Sequence, residues 1–250
     1  MLSTEYEIWA HRGSHDGCSR LENTLSAFVA ALNEDCAGIE LDVHVSSDGH
    51  VVVHHDECLT RLSTNGDTRL VSSLSLEALR CVPLQGGHQI PTLKDVLALV
   101  AGRKPLNIEI KDALGVDAVL ADLEHYDATQ IVLSSFSADA MLHAALKAPG
   151  VTRVWISGET SLDPLCEAHN IDPRETLQRV SSDRWHTHGF YATAPLVDAL
   201  SRQGIPTYVW TVNDVNTALE LYERGIQGIF CDQPGRMSRE MNRRLSETST

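Results

Sequence analysis

The chain has 250 residues, of which 42% are hydrophobic and 22% charged, and its formal net charge at neutral pH is −14. That balance is ordinary for a globular enzyme, whereas the surplus of acids disfavours nucleic acid and anionic bilayers as partners, since both repel negative charge. Apolar runs stop at about six residues, far short of a membrane span, and the stretch after Met1 to Glu7 is too short for a secretory leader, so a cytoplasmic protein without stable membrane insertion is expected.

Taken in order, the first β-branched run covers Glu7 to His11 and stops on His11, Arg12 and Gly13, where alternating burial alone would be served by an apolar residue. His15 lies in the loop that follows, and a helical pattern covers Thr24 to Glu34. The next strand, Gly38 to Val45, alternates Glu40 and Asp42 with Ile39, Leu41 and Val43, so period two sends both acids to one face. In a barrel that face is the interior. Two carboxylates held there repel each other, and a divalent cation relieves the conflict.

Asp48-Gly49 reads as a two-residue hairpin loop. Opposed residues then have numbers summing to 97, which places His55, at the end of a strand from Val51, beside Asp42 and turns His54 away. A three-residue bulged loop would reverse that choice. Thr60 to Pro91 reads as a loop-rich excursion with one short helix near Ser75 to Arg80, forming a reduced cap over one barrel mouth.

After a helix over Leu93 to Ala101, the strand Leu106 to Lys111 puts Asn107, Glu109 and Lys111 on one face. Glu40, Asp42 and Glu109 thereby form an all-oxygen donor set suited to Mg²⁺ or Ca²⁺ rather than zinc. Further helices are expected over Val116 to His125, Ala138 to Lys147, Pro195 to Arg202 and Val215 to Arg224. Strands are expected over Gln130 to Ser134, Thr152 to Ile156, Trp185 to Thr187, Thr207 to Thr211 and Gly228 to Cys231. Gly-Ile steps at Gly38, Gly204, Gly225 and Gly228 suit helix ends feeding the next strand. Arg239, Arg243 and Arg244 read as a solvated helix face, Asp232 as the cap of a turn, and the Ser/Thr tail after Leu245 as flexible.

Strands alternating with crossover helices define the α/β class, and their number fits a TIM-like (β/α)₈ barrel spanning 1–250 as one domain. No GxGxxG follows the first strand, which argues against a dinucleotide fold. The six cysteines, Cys18, Cys36, Cys58, Cys81, Cys166 and Cys231, show no CxxC spacing and hence no zinc ribbon or redox motif.

The ordered set HRG (His11 to Gly13), ENT (Glu22 to Thr24), ExD (Glu40 and Asp42), HD (His55 and Asp56), IPTL (Ile90 to Leu93), IEIK (Ile108 to Lys111), WTVN (Trp210 to Asn213) and FCDQPG (Phe230 to Gly235) resembles the glycerophosphodiester phosphodiesterase family. The resemblance implies a TIM-like barrel that hydrolyses a glycerophosphodiester to glycerol 3-phosphate and an alcohol with one divalent cation, by a route leaning towards a cyclic phosphate. Carried over residue by residue, it implies His11 and His55 as the acid/base pair and Glu40, Asp42 and Glu109 as metal ligands. It also implies Arg12 and Lys111 as phosphate contacts, while the position of Trp210 favours a substrate wall. Leu21 stands where the family commonly has proline. The expected partner is a small-molecule phosphodiester; a homo-oligomer is compatible with the sequence, which does not specify one. Two other readings compete: a barrel metallohydrolase cleaving C–N or ester bonds, disfavoured by the scarcity of histidine ligands, and a phosphodiester-binding barrel without turnover, which needs no proton-transfer pair.

Overall fold

The computed structural model describes residues 6–17, 19–158 and 173–247; Cys18 and Cys166 lie outside them. Among these residues the strands are β1 (Glu7–Ala10), β2 (Gly38–Val45), β3 (Val51–Val53), β4 (Leu106–Ile110), β5 (Ile131–Ser135), β6 (Thr152–Ser157), β7 (Arg184–His188), β8 (Thr207–Trp210) and β9 (Gly228–Cys231). Eight of the nine are parallel, in the order β1-β9-β8-β7-β6-β5-β4-β2, and pairing of β1 with β2 closes the ring. β3 lies antiparallel on β2, outside the ring. The result is a closed (β/α)₈ barrel.

The helices are α1 (Leu25–Leu32), α2 (Leu76–Arg80), α3 (Leu93–Val100), α4 (Val116–Asp122), α5 (Ala138–Lys147), α6 (Arg174–Arg179), α7 (Ala194–Ser201), α8 (Val215–Glu223) and α9 (Pro234–Glu247). Side-chain caps fix several starts: Thr24 for α1, Ser137 for α5, Asp214 for α8, and a full capping box at Thr92 and Asp95 for α3. α3 buries Leu93, Val96, Leu97 and Val100, one helical stripe. It meets the outer sheet face, where Ile39, Leu41, Ile108 and Ile110 join the main core. None of the described helices is long and apolar enough to cross a membrane.

Neither α6 nor α9 is anticipated with its bounds. α9 buries Pro234, Gly235, Met237, Ser238 and Met241. That spacing is helical, but small and polar residues carry it, so the hydrophobic signal is weak. Its exposed face pairs Arg243 and Arg244 with Glu240, as the solvated-face reading expects, and the helix runs to Glu247, through the start of the tail read as flexible.

Inside the ring, Trp9, Val132, Val154, Tyr208 and Phe230 form one buried cluster. Two glycines make room for it. Gly38 is the ladder partner of Trp9, and a Cβ there would lie 2.4 Å from the indole. Gly228 stands in the same relation to Tyr208, again at 2.4 Å. These two glycines thus clear aromatic rings from within strands, whereas Gly204 and Gly225, with φ of 74° and 93°, fit the helix-end reading.

The hairpin register differs from the sequence expectation. Val43 pairs with Val53 and Val45 with Val51, so opposed numbers sum to 96 and His54, not His55, is opposite Asp42. The loop is Ser47 to Gly49, three residues long. Ser46 O accepts Gly49 N–H at 3.0 Å, Ser46 Oγ accepts His50 N–H at 2.9 Å, and Gly49 has a φ of 85°. A serine before Asp-Gly thereby converts a two-residue loop into a bulged one.

The excursion from β3 to α3 folds on a core of its own. Leu59, Leu62, Val71, Leu79, Val82, Leu84 and Ile90 pack with Leu21 and Val52. α2 and two 3₁₀ turns are its regular elements.

Two expectations follow. Gly38→Ala should destabilise the protein by about 1–3 kcal/mol through overpacking against Trp9, measured by urea unfolding. His186, buried on β7 between Tyr208 and Phe230, is held neutral because burial and then Arg184 disfavour its charge. Its unfolded form protonates near pH 6.5 while the folded form does not, so its contribution is complete above that pH and is lost as pH falls. Unfolding at pH 7.5 and 5 should show a steeper acid loss for the wild type than for His186→Leu, by up to about 1.4 kcal/mol per pH unit.

Candidate active site

Period two carries Glu40, Asp42 and Glu109 into the ring as the sequence expects. Asp42 and Glu109 are ladder partners on adjacent strands. All three carboxylates are buried, and one oxygen of each lies within 4.8 Å of the others. Burial, then the charges of Asp42 and Glu109, push the Glu40 carboxyl well above the usual range. Burial also raises Glu109, with Lys111 opposing. Asp42 is held low despite its burial, first by Lys111 and then by Arg12.

The two cations stand among these acids. Lys111 Nζ is 2.6 Å from Asp42 Oδ1 and donates to Glu109 Oε1. Arg12 reaches Glu40 through its backbone, N–H to Oε2 at 2.7 Å, and Asp42 through Nε at 3.3 Å. Arg12 has a φ of 54°, a left-handed turn that aims its amide at the acids. Three negative charges therefore meet two positive ones, and the hard oxygen donors fit a divalent cation.

The ENT stretch supports that core. Glu22 accepts from Arg12 at 2.8 Å and takes a bidentate pair from Arg61 at 2.7 and 2.8 Å. Burial works against its charge, but Arg61 and Arg12 keep Glu22 at about 2. Asn23 clamps Asp42 from both sides: Nδ2 donates to Oδ2 at 2.8 Å, and the Asp42 N–H donates to Oδ1 at 3.3 Å. Thr24 then caps α1.

Both candidate imidazoles rest on a carboxylate through Nδ1. His11 Nδ1 is 2.7 Å from Asp232 Oδ1, and Asn213 fixes the other oxygen of Asp232 at 2.6 Å. His55 Nδ1 is 2.6 Å from Asp56 Oδ1, and Arg61 Nε holds Asp56 Oδ2 at 2.7 Å. The revised hairpin register does not remove His55 from the site. β3 ends at Val53, the chain leaves the ladder, and His55 lines the cavity while His54 is buried against Cys58 O. Burial lowers His11 and pushes His55 down to about 4.

One cavity of 1210 Å³ gathers His11, Arg12, Glu40, His55, Glu109, Lys111 and Trp210 at the C-terminal rim of the barrel, with Asp42 bonded directly behind them. Trp210 follows Tyr208 on the inward face of β8, which settles its strand parity. Phe136 and His188 pack edge-on to its ring at 5.7 and 5.8 Å. Asn107 and His186 line the floor.

Asp232 corrects its expected role: it holds His11 rather than capping a turn. The signal was available, because Gly228, Phe230 and Asp232 share a parity and His11 extends the neighbouring strand β1, whose ladder pairs Trp9 with Phe230. Arg61 carried no comparable signal, since its partners Glu22 and Asp56 come from separate loops.

Residues 11–236 match the glycerophosphoryl diester phosphodiesterase family model. A glycerophosphodiester phosphodiesterase of Caldanaerobacter subterraneus subsp. tengcongensis is 29% identical, over 91% of this chain and 94% of that protein. One from Bacillus altitudinis is 30% identical, over 92% and 96%. The crystal structure of a glycerophosphodiester phosphodiesterase from Thermotoga maritima superposes with a TM-score of 0.78 at 28% identity, over 94% of this chain and 98% of that one. An Oleispira antarctica phosphodiesterase in complex with its product sn-glycerol-3-phosphate superposes at 0.84 and 24% identity, over 94% and 96%, and shares the fold. The chain belongs to the glycerophosphoryl diester phosphodiesterase family, whose members hydrolyse glycerophosphodiesters, and is a phosphoric diester hydrolase.

Proposed function

We propose that the chain hydrolyses a small glycerophosphodiester to sn-glycerol 3-phosphate and an alcohol, with Glu40, Asp42 and Glu109 holding one Mg²⁺ or Ca²⁺ and His11 and His55 moving the protons. The observation that carries this reading is the meeting of three buried carboxylates, one of them just behind the wall, and two carboxylate-anchored imidazoles at one cavity. It also disfavours C–N or carboxylic ester hydrolysis on a histidine-rich centre, because the triad of acids contains no histidine.

When bound, the cation supplies positive charge against the nonbridging phosphate oxygens. With the acids engaged in holding it, Lys111 and Arg12 present their own positive charge to the same phosphate. His11 donates Nδ1–H to Asp232, which leaves Nε2 as an acceptor. Burial keeps that ring neutral near pH 7, the state a general base requires. His55 is likewise aimed by Asp56, and the negative charge of a phosphodiester beside it favours its protonated form. It then delivers a proton to the departing alkoxide. Trp210 and Phe136 form an apolar wall against the organic part of the substrate. The excursion from Thr60 to Pro91 acts as a reduced cap, and 1–250 as a single catalytic domain.

Phosphorus NMR of glycerophosphocholine tests the reading. The expected result is sn-glycerol 3-phosphate formed with Mg²⁺ or Ca²⁺ and lost on chelation; undiminished turnover in EDTA would overturn it. His11→Ala and His55→Ala should each lower kcat by about 10²–10⁴. Asp232→Asn, which removes the acceptor that fixes the His11 tautomer, should lower kcat by about 10²-fold or more with little change in KM. The wild-type rate should rise and then fall across pH 5 to 9. Glu40→Gln relieves repulsion among buried acids, so it should raise the melting temperature of metal-free protein and abolish the further rise that Mg²⁺ or Ca²⁺ gives the wild type, both read by thermal unfolding.

A further inference from the structure

Beside the acid trio the described residues hold a second cluster of metal-ligating groups, of different chemistry. His11 Nδ1 and His15 Nε2 both lie close to one oxygen, Asp232 Oδ1, at 2.7 and 3.3 Å. One ligand atom of each residue lies within 4.8 Å of the others. The arrangement is built rather than incidental. His15 N–H donates to Asp232 O at 2.9 Å and His11 N–H to Cys231 O at 3.0 Å, so the backbone binds the β1 loop to the end of β9. Asn213 holds Asp232 Oδ2 at 2.6 Å, which keeps Oδ1 turned towards both rings. The His15 side chain is 11% exposed, and its Nε2, despite lying 3.3 Å from the carboxylate, is buried without an aligned hydrogen bond. A buried ring nitrogen that lies beside a carboxylate oxygen without an aligned hydrogen bond to it is open to share an ion with it.

We propose that His11, His15 and Asp232 form an inhibitory site for Zn²⁺ or a similar borderline transition ion. Two imidazole nitrogens and one carboxylate oxygen suit such an ion, whereas Mg²⁺ and Ca²⁺ favour the all-oxygen trio. With zinc–ligand bonds of about 2.0–2.2 Å, tetrahedral ligand atoms stand about 3.4 Å apart. The His15 to Asp232 separation, 3.3 Å, already meets this, and His11, at 2.7 Å, needs to withdraw by about 0.7 Å.

Coordination and catalysis exclude each other at His11. The Nδ1 lone pair goes to the metal, and the Nδ1 proton, until then hydrogen-bonded to Asp232, is replaced by one on Nε2. The neutral ring neither gains nor loses a proton overall, but the nitrogen left to the reaction becomes a donor and accepts nothing. Binding does not depend on the proposed function; inhibition rests on His11 being the base.

The test uses the full chain saturated with Mg²⁺, with Zn²⁺ added as the probe and glycerophosphocholine as substrate. Zn²⁺ should inhibit in a way that further Mg²⁺ does not relieve. His15→Ala, compared with its own uninhibited rate, should need at least about tenfold more Zn²⁺ for half inhibition. In parallel, Co²⁺ should give a visible ligand-field band with Glu40→Gln, whose acid trio is disabled, and none with Glu40→Gln/His15→Ala. His15→Gln, expected to match the alanine variant, guards against misfolding, which circular dichroism reads directly. Inhibition of equal potency in folded His15→Ala, relief by Mg²⁺, or a Co²⁺ band surviving in folded Glu40→Gln/His15→Ala would each overturn the proposal. Should the protein not hydrolyse the diester at all, the Co²⁺ band still decides the site, so the two readings fail separately.

Discussion

Three carboxylates buried at one rim of a closed sheet are the constraint from which the rest of this structure follows. Taking several charges out of water costs far more than hydrophobic packing around them returns, unless opposite charge is supplied at the same place. Glu40, Asp42 and Glu109 meet that demand with Lys111 and Arg12, and the compensation is uneven. Asp42 receives both cations and stays ionised, whereas Glu40 bonds the backbone amide of Arg12, feels its charge too weakly to offset burial and the neighbouring acids, and is driven towards its neutral form. The deficit of one positive charge is what a divalent ion would remove, so the site's instability and its affinity for a cation have one origin.

That balance explains residues which look unrelated in the sequence. Arg12 must be fixed if it is to neutralise Asp42, and Glu22 fixes it; Arg61 in turn prevents Glu22 from becoming one more uncompensated acid. Arg61 also holds Asp56, which aims His55. A single guanidinium from the excursion therefore ties Arg12, through Glu22, to the carboxylate that aims an imidazole. The excursion carries its own small core, which includes Leu59 and Leu62 on either side of Arg61 in the chain, so packing of that segment positions charge in the cavity.

The parts of the site legible in the sequence were those governed by period two. Alternation placed Glu40, Asp42, Glu109 and Lys111 inward without error, because a strand buried on both faces leaves no other way to separate acids from aliphatics. The hairpin failed for a local reason: Ser46 has a hydroxyl that accepts the His50 amide, and that bond, invisible to an Asp-Gly rule, adds a loop residue and shifts the register. His55 reached the cavity because β3 had already ended. Arg61 and Asn213 act on Glu22 and Asp232, 39 and 19 residues away in the chain, and only the closed fold shows which acids and bases meet.

Closure of the barrel is itself part of the chemistry. His11 follows β1, the first strand, and Asp232 follows β9, the last; the two strands are ladder neighbours across the seam where the ring shuts. α9 locks that seam from outside, with Glu34 accepting from the Gly235 amide at 3.1 Å and Ser238 bonded to Asp35. The three acids come from β2 and β4, which pair with each other directly. The carboxylate beside His11 Nδ1 comes instead from across the seam. In the proposed mechanism, metal binding and proton transfer therefore depend on different parts of the ring, and the seam is where loosening the fold would separate the two.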